Sequence, residues 1–286
     1  MTIPKRLLAA GGDLRQLTAA KVLAAEYAVT VIGFDRFGKL PAEVTAAERL
    51  QELPAQLDAL LLPMPVTQEG IFLHAPFSSS TIALPALLPL VKPGGTVFGG
   101  RMTEEECRMI EAAGLHPADY AKAETFAVRN AVPTAEGAVQ IAMQELPVVL
   151  QDLPCLILGA GRVSTALQPR LRALGAAVTV AARRCDDRAR AEGNGCRSVP
   201  FTGLDAVLPD FPLIVNTVPV KLLGREQLRR MRQDVLVLDL SSKPGGDHAG
   251  DNKIIIKNTA DLPFPLDKSA FFVYNRYRQA QLAVIL

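Results

Sequence analysis

Strand-like and helix-like segments alternate along this chain of 286 residues, and the alternation runs through twice. No other feature constrains the fold as much. Apolar strands joined by amphipathic helices close as a parallel sheet covered by those helices. In the first series the strands read as "RLLAA" 6–10, "AVTVIGF" 28–34, "ALLLP" 59–63 and "GTVFG" 95–99, with helices over 14–26, 80–91 and 103–113. Thr103 followed by Glu106 is a capping-box pattern that marks the start of the last helix. "PTAEGAVQIAMQELPVVL", 133–150, is apolar at helical spacing, and Pro133 suits a first turn, so a connecting helix is predicted there. The second series has strands at 155–159, 177–183, 213–218, 235–241 and 253–257, and helices over 162–174, 186–192 and 224–232. The expected fold is α/β, with two Rossmann-like open parallel-sheet domains and an interdomain cleft. Such sheets bind ligands outside the carboxyl ends of their strands, so the site is expected in that cleft.

Composition excludes several function classes. A formal charge of +2, with no basic run, gives no electrostatic case for nucleic acid. No apolar run approaches the ~20 residues that span a bilayer, and Gly11, Gly12 and Asp13 end the short apolar N-terminal stretch too soon for a signal peptide. Cys107, Cys155, Cys185 and Cys196 have no C-x-x-C spacing and read as reduced thiols of a cytoplasmic protein. His74, His116 and His248 are scattered, so no metal site is expected.

"LILGAGRVS", 156–164, runs an apolar strand into a glycine turn and a helix start. A dinucleotide fold needs one glycine for the tight turn and a second for close approach of the pyrophosphate. A third small residue lets the helix pack on the sheet. Gly159, Gly161 and Ser164 fill these places, and Arg162 and Val163 open the helix whose N-terminus would face the phosphates. Pro169 falls within that helix and suggests a kink or a first-turn placement. Where NAD enzymes place an acid after the second strand, this chain has Arg183 and Arg184. Paired guanidiniums suit a 2′-phosphate, so the cofactor expected is NADP. The bland alternative is a structural turn with two solvated arginines. Two more strand ends, Asn216-Thr217-Val218-Pro219 and Asp239 with Ser241, read either as turn chemistry or as groups flanking the nicotinamide and substrate.

A second glycine turn, "GGDLRQL" 11–17, follows the first strand. Gly11 and Gly12 would allow close backbone approach, Asp13 suits an N-cap, and Arg15 is a candidate carboxylate partner. No arginine pair follows its second strand, and Asp35 alone is poor evidence for a nucleotide. The first domain is therefore assigned to substrate.

"GGDLRQL", "NAVPTAEGA" 130–138, "LGAGRVS", "NTVP" and "DLSSKPGG" 239–246, in that order, resemble the dipicolinate synthase A-subunit family over roughly residues 5–250. The resemblance implies two Rossmann-like domains, NADP as cofactor and a partner B subunit. It further implies oxidation of a dihydrodipicolinate-type precursor to dipicolinate in sporulating cells. The expected organisation is then a substrate domain over 1–130, a connecting helix over 131–150, an NADP-binding domain over 151–260 and an atypical tail over 261–286. The family usually has glycine at the position of Ser164, and its closing Leu-Pro-Gly loop is kept here only as Leu262 and Pro263.

The two carboxylates of such a substrate need cationic or N–H partners. Arg15, Arg101 and the helix start near Thr134 are the candidates. Glu136 reads either as a proton acceptor or as a first-turn glutamate complementing the helix dipole. Ser78 and Ser79 read either as substrate hydroxyls or as an N-cap. A homo-oligomer is expected. The alternatives from the sequence are a D-2-hydroxyacid dehydrogenase-like enzyme, for which no histidine is well placed, and a non-catalytic NADP-binding subunit.

Overall fold

A computed structural model describes residues 5–220, 222–240 and 254–256. The described chain divides into two compact units between Ala127 and Val128. The first contains β1 (Lys5–Ala10), α1 (Leu14–Leu23), β2 (Tyr27–Ile32), β3 (Thr45–Ala47), β4 (Leu57–Leu61), β5 (Thr67–Glu69), β6 (Phe72–Leu73), α2 (Leu84–Leu87), β7 (Val91–Gly99), α3 (Glu104–Ala112) and β8 (His116–Asp119). Helix α4 (Glu124–Glu145) spans the division. The second unit continues with β9 (Pro154–Leu158), α5 (Arg162–Ala173), β10 (Ala177–Ala182), α6 (Cys185–Gly193), β11 (Arg197–Pro200), α7 (Leu204–Val207), β12 (Leu213–Asn216), α8 (Arg225–Arg230), β13 (Leu236–Asp239) and β14 (Ile254–Ile256).

Each unit carries one main sheet, and the two sheets share a plan. The order is β3-β2-β1-β4-β7-β8 in the first and β11-β10-β9-β12-β13-β14 in the second. All neighbours pair in parallel except β13 with β14, which is antiparallel. The strand order reverses between β1 and β4 and again between β9 and β12. These are the switch points where open α/β sheets take ligands.

Side-chain alternation builds the layers. Leu7 and Ala9 of β1 face one core with Leu17 and Ala20 of α1, while Leu8 and Ala10 face the opposite core with Leu84 and Ile110. Cys155 and Ile157 of β9 pack with Leu167 and Leu171 of α5, while Leu156 and Leu158 face Leu204 and Leu208. Both faces of each sheet are therefore dry, which is why the strands read as near-continuous apolar runs. Burial pushes the Cys155 thiol up to about 12, so it packs as an inert small apolar group.

Two sequence expectations change. The helix predicted from Pro133 starts at Glu124, with Pro133 in its interior. Its ring costs only the Arg129 carbonyl its usual donor, and the Thr134 hydroxyl donates back to Asn130 O at 2.9 Å. The helix predicted over 80–91 shrinks to α2 plus a 3₁₀ turn at Leu88–Leu90, because Pro85 and Pro89 each suit only the first turn of a helix. The capping box forms as expected, with Thr103 N–H donating to Glu106 at 2.7 Å and Glu106 N–H donating to Thr103 at 3.2 Å.

Candidate functional site

In the second unit the β9 turn is shaped for close approach. Gly159 has φ +96°, and a Cβ there would lie 2.6 Å from Val218 Cγ2 and 2.7 Å from Thr217 Oγ1. Gly161 is the N-cap of α5. A Cβ on it would meet nothing within 4 Å, and no side chain caps the helix. The first N–H groups of a helix, here those of Arg162, Val163 and Ser164, have no partner within the helix itself. A helix start left uncovered is a ready anion site. Ser164 is fully buried at the helix–sheet contact, and its hydroxyl accepts from Gln168 Nε2 at 3.1 Å. That bond gives the buried hydroxyl a partner. Pro169 lies inside α5, not in its first turn.

Strand β10 runs into Arg183 and Arg184, both exposed. Arg184 caps the start of α6 by position and grips Asp186, Nε to Oδ1 at 3.0 Å and Nη2 to Oδ2 at 2.6 Å. This hydrogen-bonded guanidinium holds the Asp186 carboxyl below the usual range. Arg188, which no sequence pattern marks, donates through Nη1 to the carbonyls of Ala182 at 3.2 Å and Arg183 at 3.1 Å. It braces the strand end that carries Arg183. Periodicity gives no sign of such a tie, because it depends on the turn of the backbone.

At the next strand ends Asn216 is buried and bridges two strands. Its Nδ2 donates to Asp239 Oδ1 at 3.1 Å and its Oδ1 accepts from Val218 N–H at 3.1 Å. The Thr217 hydroxyl donates to Leu158 O at 2.8 Å, beside Gly159. The structure thus brings Gly159, Gly161, Asn216, Thr217, Val218 and Asp239 to one switch point, with Pro219 next along the loop. Ser241, Ser242, His248 and the tail at 261–286 lie outside the described residues.

The first unit uses the same turn differently. Gly12 has φ +90°, and a Cβ there would lie 2.6 Å from Gln16 Cβ. Gly11 N–H donates to Ile32 O and Gly12 N–H to His74 O, at 2.9 and 2.7 Å. Asp13 caps α1 by accepting from Arg15 N–H at 2.9 Å, and the Arg15 guanidinium returns to both its oxygens. Burial pushes the Asp13 carboxyl up, but the Arg15 hydrogen bonds and charge outweigh it and leave the carboxyl below its ordinary value. Arg15 also donates to Met64 O at 3.3 Å. A Cβ on Gly100 would meet Met64 and Tyr120, so the β4, β7 and β8 ends close on the same corner. Asp119 accepts from the backbone N–H groups of Arg101, Met102 and Ala121 at 3.0, 3.2 and 2.9 Å, fixing Arg101 at φ +57°. The Tyr120 hydroxyl donates to Leu62 O at 3.3 Å, and burial raises its pKa. No sequence pattern marks Tyr120 or Asp119, and His74 reads there only as one of three scattered histidines, since short strand ends and loops bring them here. His74 Nδ1 lies 2.9 Å from Gln68 Oε1, and His74 is the smallest contributor to the lowering of the Asp13 carboxyl.

Ser78 and Ser79 do not start a helix, since α2 begins at Leu84 after Ala83. The Ser78 hydroxyl donates to Ser80 O at 2.7 Å, and Ser79 N–H donates to Asp35 at 2.9 Å. That bond occupies the acid that follows β2. Thr134 and Glu136 lie in the middle of α4, so the expected helix start at Thr134, and with it a first-turn role for Glu136, is overturned. Glu136 is exposed and pairs with Arg170 at 3.2 Å. Among the described residues no helix is long and apolar enough to cross a membrane, and no cluster of His, Cys, Asp or Glu suits a metal.

Known proteins resemble this chain at two levels. The transhydrogenase structure from Sinorhizobium meliloti superposes with a TM-score of 0.58 at 16% identity, covering 82% of this chain and 78% of that one. The class defined here is an α/β protein of Rossmann-like fold. More specifically, the chain is similar to the A-subunit of dipicolinate synthase. A family model described as the N-terminal domain of this A-subunit matches residues 6–121. The Bacillus subtilis protein is 29% identical over 82% of this chain and 80% of its own length. The crystal structure of the Bacillus halodurans protein superposes with a TM-score of 0.77 at 28% identity, covering 85% and 84% of the two chains.

Proposed function

We propose that this chain is an NADP-dependent oxidoreductase of the dipicolinate synthase A-subunit type. It oxidises a dihydrodipicolinate-type ring dicarboxylate to dipicolinate in the cytoplasm of a sporulating cell, as a homo-oligomer working with a B subunit. The observation that supports this best is the uncapped start of α5 at Gly161, with Arg183 exposed after the next strand. Backbone N–H groups suit a pyrophosphate, and a guanidinium suits a 2′-phosphate. Bound NADP⁺ would supply the hydride acceptor for forming the aromatic ring.

The chain's own residues have to hold the dicarboxylate and take the accompanying proton. Arg15 and Arg101, set by Asp13 and Asp119 at the strand ends of the first unit, are the cations for its carboxylates. Glu136 is a poorer candidate base than the sequence suggested, because it lies exposed in mid-helix with its carboxylate occupied by Arg170 at 3.2 Å. His74 suits the proton better. Its Nδ1 lies 2.9 Å from Gln68 Oε1, a contact that orients the ring. Thr134 is spent on its own helix.

The test follows pyridine absorbance with the purified chain, precursor and NADP⁺, with and without the B subunit. Product that depends on NADP⁺ supports the reading. Tight NADPH binding with no product under either condition contradicts it in favour of a non-catalytic subunit.

A further inference from the structure

Four charged groups follow β10 in one exposed chain. Arg184 holds Asp186 through two hydrogen bonds, and Arg190 approaches the same Asp186 oxygen at 3.6 Å while holding Asp187 at 3.0 Å. The bidentate fork of Arg184 is therefore filled by a carboxylate of the protein itself. That geometry is also the one a phosphate would use. A dianionic 2′-phosphate reaching this strand end has to displace Asp186 from Arg184, whereas a plain ribose, which carries no such charge, does not. Arg190 already stands one helical turn on, within reach of the displaced carboxylate.

We propose that Asp186 is a specificity-setting residue, an internal competitor for Arg184 that weakens the preference for a 2′-phosphorylated nucleotide over its unphosphorylated counterpart. The proposal rests on the cofactor reading above and deepens it. Asp186 acts through Arg184 and does not itself touch the nucleotide. In the free protein Arg183 meets the phosphate first, and Arg184 joins only when it exchanges partners. Exposed ion pairs contribute little, so the exchange opposes phosphate binding modestly and leaves the preference adjustable.

The experiment titrates NADPH and NADH separately into the full chain, wild type against D186N, R184A and the double variant, by protein-fluorescence quenching at fixed salt. D186N is expected to bind NADPH about two- to fivefold tighter, from the release of one exposed ion pair, with NADH affinity unchanged. In the R184A background the same substitution is expected to give no gain, which a general electrostatic or structural role of Asp186 would not produce. An unchanged or weakened NADPH affinity in D186N overturns the proposal, as does a gain that persists in full without Arg184. The cofactor reading fails separately and visibly. In that case the wild type itself would show no preference for NADPH, and R184A would change neither affinity.

Discussion

The two units share a strand order and a glycine turn after the first strand, yet they treat the start of the following helix in opposite ways. At α1 the N-cap is Asp13, whose carboxylate already sits at the positive end of the helix and is held there by Arg15. At α5 the N-cap is Gly161, with no side chain and open space around it. The second strands differ in the same sense. The acid after β2, Asp35, is taken by the Ser79 backbone, whereas Arg183 after β10 stands exposed. One topology thus gives a turn filled by the protein's own anion and a turn open to a ligand's. Strand order alone does not assign a nucleotide site. In the function proposed here, the chemistry of a single cap residue decides it.

Substitutions that exchange the two caps break this comparison most strongly. Gly161→Asp places a carboxylate at the start of α5. NADPH affinity should fall at least about tenfold, while thermal stability holds or rises slightly, since an aspartate N-cap gains only about a few tenths of a kcal/mol over glycine. Parallel titration and melting curves check both halves. Gly159→Ala should be nearly as damaging to binding and should also lower Tm, because its Cβ meets Thr217 and Val218 at φ +96°. Gly12→Ala should lower Tm while sparing NADPH binding, since its clash is with Gln16 in the other unit. Arg183→Ala should remove most of the difference between NADPH and NADH, about tenfold to a hundredfold for the loss of a charge-assisted bond worth about 1.5–3 kcal/mol.

The smallest effect is a pH dependence at the filled cap. The folded-state pKa of Asp13 lies below its ordinary value of 3.8. Its pair with Arg15 therefore stabilises the protein above that value and is lost as pH falls through the folded pKa. Denaturant midpoints for wild type and Asp13→Asn should differ at neutral pH and converge below about pH 4.

Much of the fold was legible because both sheets are buried on two faces, which gives strands such as "CLILG" and "LIVNTV" their unbroken apolar character. The edge strands β3, β8 and β11, three or four residues each, were not legible, since an edge so short carries too little pattern. Pro133 misled for a physical reason. A proline early in an apolar run looks like a first turn, yet nine helical residues precede it here. At the site, residues close in sequence, such as Gly159 with Gly161 and Asp13 with Arg15, were readable. Those set by long-range closure were not. Tyr120 reaches Leu62 across 58 residues, and Gly12 meets His74 through a loop.

The central claim is that nucleotide phosphate binds the open helix start and not the filled one. Amide hydrogen exchange of the full chain with and without NADPH tests it most directly. Protection is expected in the first turn of α5, at residues 162–165, with no change in the first turn of α1, at residues 14–17. Protection of α1 with α5 unaltered would contradict the account.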